Sequence, residues 1–153
     1  MSLSWEYTSS SPEETEQLAK RLAEFLLGGD IITLEGDLGA GKTSFTKGLA
    51  KALGVKKNVN SPTFTIIKEY EGRVPFFHMD AYRIEDDCED LGLEEYFEGD
   101  GVTVVEWPSM ILDQLPNNRL EITIKRLEEM VRLLTFIPHG ERYTSICKEI
   151  FEK

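Results

Sequence analysis

A glycine-rich turn constrains this chain more than any other feature of its sequence. Residues 36–43 read Gly-Asp-Leu-Gly-Ala-Gly-Lys-Thr, and they follow the apolar run Ile31–Leu34. Glycines allow a tight turn whose backbone N–H groups point inward, and a helix that begins there adds partial positive charge. A turn of this kind between a buried strand and a helix binds phosphate groups. The sequence therefore predicts an α/β fold with a phosphate site at the end of a strand.

The positions of this turn have separate expected roles. The backbone would cradle the phosphates, Lys42 would reach the β- and γ-phosphates as a mobile cation, and the Thr43 hydroxyl would bind Mg²⁺. A glycine-rich turn followed by Lys-Thr by chance is the competing interpretation, and the flanking strand and helix argue against it. The nucleotide-binding residues expected in this segment are Gly36, Asp37, Leu38, Gly39, Ala40, Gly41, Lys42, Thr43 and Ser44.

Two further apolar strands end in carboxylates. Phe76–Asp80 ends in aspartate, and Val102–Glu106 ends in glutamate. The carboxyl ends of parallel strands face the crevice in which α/β sheets bind ligands. Either carboxylate could hold the metal ion directly or through water, and the other would orient the attacking water; the sequence leaves this choice open. The expected catalytic residues are Lys42, Asp80 and Glu106, and the expected metal ligands are Thr43, Asp80 and Glu106.

Helical and strand patterns alternate along the chain. Ser10 or Ser11 before Pro12 predicts the start of the first helix, because Ser caps helices and Pro suits the first turn. Strands are expected over 31–34, 102–105, 120–124 and 131–137, a hairpin over 64–70 and 74–79, and further helices over 45–53, 84–97 and 143–151. We expect a single P-loop NTPase-like domain over residues 1–153. Its central sheet should be mainly parallel, flanked by helices, with an antiparallel strand pair near the C-terminus.

Charge argues against direct nucleic-acid binding. The net charge is 17 minus 28, or −11, and residues 80–106 hold eleven carboxylates against one base, Arg83. Such a surface repels phosphate backbones at long range. The acidic segment is either a solvated face or a docking surface for a basic partner.

Location and cofactor follow from what the sequence lacks. The longest stretch without Asp, Glu, Lys or Arg is ten residues, Asn58–Ile67, whereas a membrane-spanning helix needs about 20 apolar residues. The amino terminus shows no secretory signal, so a cytoplasmic protein without membrane contact is expected, with Cys88 and Cys147 as reduced thiols.

The sequence contains neither an Asn-Lys-x-Asp guanine reader nor a Leu-Ser-Gly-Gly transporter signature. ATP is favoured over GTP by this elimination.

Three further strings sharpen the interpretation: Ser61-Pro-Thr-Phe-Thr65, His78-Met-Asp-Ala-Tyr-Arg83 and Glu106-Trp107. Together with the glycine-rich turn, in this order and spacing, they closely resemble the TsaE family (also called YjeE). Its members are P-loop ATPases of bacterial tRNA threonylcarbamoyladenosine (t6A) biosynthesis. The resemblance runs from about Ser10 to the terminal helix.

The resemblance implies a function as well as a fold. Family members bind ATP and Mg²⁺ and hydrolyse ATP slowly alone. They act with the transferase subunit TsaD and its relative TsaB in modifying adenosine-37 of tRNA, so contact with tRNA would be indirect. A P-loop small-molecule kinase is the alternative, although a kinase usually needs an arginine-bearing lid. A nucleotide-sensing module without turnover is a third possibility.

The resemblance also assigns roles to individual residues. Lys42 and Thr43 would contact phosphate and metal, Asp80 would be the Walker-B-like carboxylate, and Glu106 a second metal ligand or water-orienting group. Trp107 would be an aromatic residue beside the site, or a core residue.

Two further assignments have ordinary structural alternatives, and two other residues are assigned without one. Thr63 would lie near the γ-phosphate, or in a loop that leads into an edge strand. Arg132 would be a basic residue near the nucleotide, or an exposed strand arginine. Ser11 would meet the adenine through backbone contacts of residues 9–11. His78 is expected to be a packed or hydrogen-bonded strand residue and not a catalyst.

Overall fold

The computed structural model describes residues 3–36, 41–57, 67–81 and 92–152. The helices are α1 (Pro12–Ala23), α2 (Lys42–Ala52), α3 (Leu93–Phe97) and α4 (Glu141–Phe151), together with a 3₁₀ helix, Pro108–Gln114. The strands are β1 (Trp5–Ser9), β2 (Ile31–Glu35), β3 (Ile67–Tyr70), β4 (Phe76–Asp80), β5 (Val102–Glu106), β6 (Arg119–Arg126) and β7 (Arg132–His139). All of these strands join one seven-stranded sheet, in the order β1-β7-β6-β2-β5-β4-β3.

The sheet is mixed, and the prediction of a mainly parallel sheet is wrong. The strands β6, β2, β5 and β4 form a parallel centre, but β1/β7, β7/β6 and β4/β3 pair antiparallel. Apolar composition identifies a buried strand without giving its direction, and the two predicted hairpins place antiparallel strands toward both edges. The strand β1 was not predicted, because alternate positions of its five residues are only partly buried. The antiparallel pair near the C-terminus, β6 and β7, is confirmed.

Local sequence explains where α1 begins. The Ser11 hydroxyl accepts a hydrogen bond from the Glu14 backbone N–H at 3.1 Å, and Pro12 occupies the first turn. These features satisfy an amide that the helix itself leaves unpaired. Leu18 and Leu22 are buried one turn apart, so α1 presents one apolar face to the sheet.

The helices α1 and α2 pack closely on one face of the sheet. A Cβ atom added to Gly48 would lie 2.8 Å from the Glu16 Cα atom, closer than two such atoms can approach. Phe45 and Leu49 of α2 are fully buried and join a core cluster that also includes Leu34 of β2. A second cluster, with Met79, Val105 and Ile111 among its members, covers the other face. Among the described residues, none of the helices has both the length and the apolar composition needed to cross a membrane.

A buried carboxylate anchors α4 to the beginning of β2. Asp30 accepts hydrogen bonds from Arg142 at 2.7 and 2.6 Å, from the Tyr143 hydroxyl at 3.1 Å and from the Leu27 N–H at 2.7 Å. The Tyr143 oxygen in turn accepts the Ile31 N–H at 3.0 Å. The charge of Asp30 is therefore compensated inside the fold, as a buried charge requires. This anchor lies at the amino end of β2, opposite the edge that the glycine-rich turn follows.

We predict that Tyr143→Phe weakens the fold in a pH-dependent manner. Burial raises the pKa of Tyr143 to about 12, above the value of about 10 expected in the unfolded chain. The native state therefore keeps the phenol protonated where the unfolded chain would ionise it. The protonated phenol stabilises the fold fully below pH 10, and about 2–3 kcal/mol of the free energy of unfolding is lost as the pH rises toward 12. The variant should lose about 1–3 kcal/mol near neutral pH, because the Ile31 N–H loses its acceptor. Guanidinium unfolding between pH 7 and 12 measures both effects.

The difference between wild type and Tyr143→Phe should narrow above pH 10. A difference that stays constant up to pH 12 would contradict the assignment. Cys147→Ala is the control, because burial also raises the pKa of the Cys147 thiol to about 12. That variant separates the thiol's contribution from that of the phenol.

Candidate functional site

The carboxyl ends of the central parallel strands bring two predicted residues together. In the register of the sheet, Asp80 at the end of β4 pairs with Glu106 at the end of β5, and Glu106 also pairs with Leu34 of β2. Adjacent strands lie about 4.8 Å apart. The two carboxylates therefore belong to one edge of the sheet. Asp80 is half-buried and Glu106 is buried.

Lys42 points into the protein toward this edge. It is the first residue of α2, directly after Gly41, whose φ angle of 106° suits glycine and few other residues. The lysine is 6% exposed. Its Nζ atom lies 3.7 Å from Glu106 Oε1 and 3.9 Å from the centroid of the Trp107 ring. Both contacts compensate the buried positive charge, one as an ion pair and the other as a cation–π interaction.

The second oxygen of Glu106 contacts a histidine. His78 Nε2 meets Glu106 Oε2 in a close hydrogen bond, and His78 is only 1% exposed. The carboxylate is thus held on one side by Lys42 and on the other by His78. We call these three residues the Lys42–Glu106–His78 cluster.

Trp107 has a strained backbone directly after the carboxylate. Its φ and ψ angles are 59° and 52°, and it is the only non-glycine residue with positive φ in the described ranges. A bulky residue in this region costs about 1–3 kcal/mol. Two features maintain it: the Trp107 N–H donates to the Leu34 carbonyl at 3.1 Å, and Pro108 starts the 3₁₀ helix. The chain leaves the strand here and the indole ring lies against the Lys42 ammonium.

Arg132, which the resemblance places near the nucleotide, lies close to the start of α2. Ser9, the last residue of β1, pairs with Arg132, and its hydroxyl donates to the Ser11 carbonyl at 2.8 Å. The Arg132 Nε atom would lie 3.7 Å from a Cβ atom added to Gly41. The structure therefore brings Arg132 next to Gly41, and the strand pairing places Ser9 beside Arg132. The Ser11 side chain serves as the cap of α1.

The remaining predicted positions divide into two groups. Gly36 directly follows β2, while Thr43 is exposed and Ser44 half-buried in the first turn of α2. Five predicted residues lie outside the described residues: Asp37, Leu38, Gly39, Ala40 and Thr63. Within the described ranges, no three side chains from His, Cys, Asp and Glu form a metal-binding group. A hydroxyl and two carboxylates still suit Mg²⁺, which keeps several waters and substrate oxygens as ligands.

Sequence reasoning missed two contacts of this site. It treated His78 as packing or hydrogen bonding without naming Glu106 as its partner. It also placed Trp107 only beside the site, whereas the ring contacts the Lys42 ammonium. A signal for His78 was present, because a histidine within an apolar strand needs a hydrogen-bonding partner when it is buried.

The fold and the site define a class: a mixed α/β protein with a buried lysine–carboxylate pair at the carboxyl edge of its parallel strands. A family model described as "Threonylcarbamoyl adenosine biosynthesis protein TsaE" matches residues 9–134. The chain belongs to the TsaE family, and the resemblance seen in the motifs is confirmed.

Individual relatives agree with this assignment. The chain is 57% identical over 141 residues to the tRNA threonylcarbamoyladenosine biosynthesis protein TsaE of Bacillus subtilis, covering 92% of this chain and 89% of the relative. It is 37% identical to the protein of the same name from Treponema pallidum, covering 83% and 96%. The crystal structure of Bacillus subtilis YdiB superposes with a TM-score of 0.85 at 47% identity, covering 99% of this chain and 97% of that one.

We predict that the Lys42 ammonium alters the fluorescence of Trp107. The chain contains two tryptophans, Trp5 and Trp107, so Trp5→Phe leaves Trp107 as the sole indole. In that background Lys42→Met removes the cation from the ring face and should change the intensity or maximum of emission. Lys47→Met, an exposed position on the same helix, is the matched control and should leave the spectrum unchanged. Identical spectra for the two methionine variants would contradict the contact.

Proposed function

We propose that this protein binds and hydrolyses Mg-ATP as a subunit of the machinery that makes t6A at adenosine-37 of tRNA. It acts with TsaB and TsaD in the cytoplasm and meets tRNA only through them. The observation that carries the proposal is the buried Lys42 at the amino end of α2, facing Glu106 at the end of β5. Membership of the TsaE family supports the pathway.

The position of Lys42 supports phosphate binding. Its Nζ atom is buried and has no hydrogen-bond partner in the described parts of the chain. Glu106 Oε1, at 3.7 Å, is close enough for an ion pair but too far for a hydrogen bond. An ammonium group has three N–H donors to satisfy. Phosphate oxygens arriving at the amino end of α2 would supply acceptors and match the positive end of the helix dipole. The lysine would then exchange its weak contact with Glu106 for direct phosphate contacts.

The carboxylates supply the remaining chemistry. Thr43, Asp80 and Glu106 are the residues that would hold Mg²⁺, and the ion would neutralise charge on the phosphates during transfer to water. Once phosphate draws Lys42 away, Glu106 Oε1 can accept a hydrogen bond from water. Its Oε2 atom stays bonded to His78. Glu106 would then orient the attacking water.

The charge distribution is consistent with action through protein partners. The net charge of −11 disfavours direct binding to the phosphate backbone of tRNA. A small-molecule kinase, the alternative left by the sequence, is not favoured, because the family and the named relatives above belong to threonylcarbamoyladenosine biosynthesis.

The proposal is tested by measuring phosphate release from Mg-ATP by the purified protein, alone and with TsaB and TsaD. We expect slow release alone and faster release with both partners. Lys42→Ala should weaken ATP binding about 10- to 100-fold, because charged hydrogen bonds to the phosphates are lost. Lys47→Ala is the control on the same helix. Unchanged affinity in Lys42→Ala, or turnover that needs only a small-molecule acceptor and ignores the partners, would overturn the proposal.

A second experiment separates the two roles open to Glu106. If Glu106 orients water, Glu106→Gln should lower the hydrolysis rate about 100-fold while changing ATP affinity by less than about threefold. Equal losses of rate and of Mg²⁺-dependent affinity would instead make it a primary metal ligand. Glu121→Gln is a matched control, because Glu121 also contacts a histidine, His139, at 2.9 Å, but on a partly exposed surface of β6 and β7. It should match the wild-type rate.

A further inference from the structure

His78 occupies a position where an imidazole is costly without a partner. It lies in the middle of β4, pairs with Val104 in the register of the sheet, and is 1% exposed. Side chains two residues apart on a strand share a face, so His78 lies on the same face as Asp80 and, across the pair, as Glu106. Burying its ring costs free energy unless a polar partner is present. Glu106 is that partner.

The two oxygens of Glu106 have different environments. Oε2 meets His78 Nε2, whereas Oε1 faces Lys42 Nζ at 3.7 Å. The contact requires the imidazole proton on Nε2, since a carboxylate only accepts. His78 Nδ1 is buried and has no hydrogen-bond partner among the residues that the structure describes. This favours the tautomer without a proton on Nδ1, because a buried N–H left unpaired is costly.

We propose that His78 is a positioning residue for Glu106: it fixes Oε2 so that Oε1 faces the phosphate site, and hydrolysis needs this alignment while ATP binding does not. The inference rests on the proposed function for the role of Glu106. Partners that fix a catalytic carboxylate matter because reacting groups must be held to within a fraction of an ångström. No contact that we assign to phosphate binding, through Lys42 or the start of α2, includes His78.

Two substitutions distinguish positioning from simple core packing. His78→Gln places an amide N–H near the position of Nε2 and can still donate to Glu106. His78→Leu introduces an apolar side chain of comparable size and removes the donor. If His78 only fills the core, leucine should be accepted at least as well as glutamine. If it positions Glu106, only glutamine should preserve function.

The experiment uses full-length protein with Mg-ATP and both partner proteins. We expect His78→Leu to lower kcat about 10- to 100-fold with ATP affinity within about threefold of wild type, and His78→Gln to stay within about threefold in both. His139→Leu and His139→Gln are matched controls, because they alter the other histidine–glutamate pair, and both should retain wild-type kinetics. Thermal unfolding of each variant checks the fold.

A second readout does not depend on hydrolysis. In the Trp5→Phe background, Trp107 emission reports the Lys42 ammonium, as calibrated by Lys42→Met. In the nucleotide-free protein, losing the donor at residue 78 shifts Glu106 and its ion-pair partner Lys42, so His78→Leu should change the emission and His78→Gln should preserve it. With ATP bound, the phosphates hold Lys42 instead, so affinity is little affected. If the wild type releases no phosphate, the proposed function fails, and this emission pattern still decides the positioning role. Wild-type kcat and emission in His78→Leu, or equal losses in both variants, would overturn the inference.

Discussion

The carboxylate of Glu106 is the point on which the site depends. A buried negative charge is tolerated only where partners compensate it, and here the partners come from two different elements, Lys42 from α2 and His78 from β4. The strand β5 provides the carboxylate itself. The pairing of the buried charges therefore depends on how α2, β4 and β5 are placed relative to one another. A shift of α2 relative to β5 would separate the buried ammonium group from the buried carboxylate.

The sequence predicted the elements of the fold better than their arrangement. The helices α1, α2 and α4 and the strands β2, β4, β5, β6 and β7 fall where local patterns predict them. Caps, glycines and apolar periodicity are local signals, so nearby residues suffice to read them. Strand direction is not local, since it depends on which strands become neighbours. For this reason the antiparallel pairs were predicted locally, but their membership of the same sheet as the parallel strands was not. The edge strand β1 was missed because its alternate positions are only partly buried.

The candidate site was predictable in position but not in its contacts. Because Asp80 and Glu106 each end an apolar strand, their common edge follows from the geometry of parallel strands. The contact between Lys42 and Glu106 joins residues far apart in the chain and depends on side-chain packing. The left-handed backbone of Trp107 has no sequence signature, because a bulky aromatic residue is disfavoured there. Such strain is maintained by surrounding structure and appears only in three dimensions.

The close approach of α1 and α2 at Gly48 has a mechanical consequence for the site. Since the Glu16 backbone leaves no room for a side chain at this position, the two helices meet backbone to backbone and have little freedom to slide past each other. The helix α1 begins just after Ser11, and α2 begins with Lys42. A displacement of the segment before α1 would therefore pass through the contact at Gly48 to α2, and so to Lys42 at its first position.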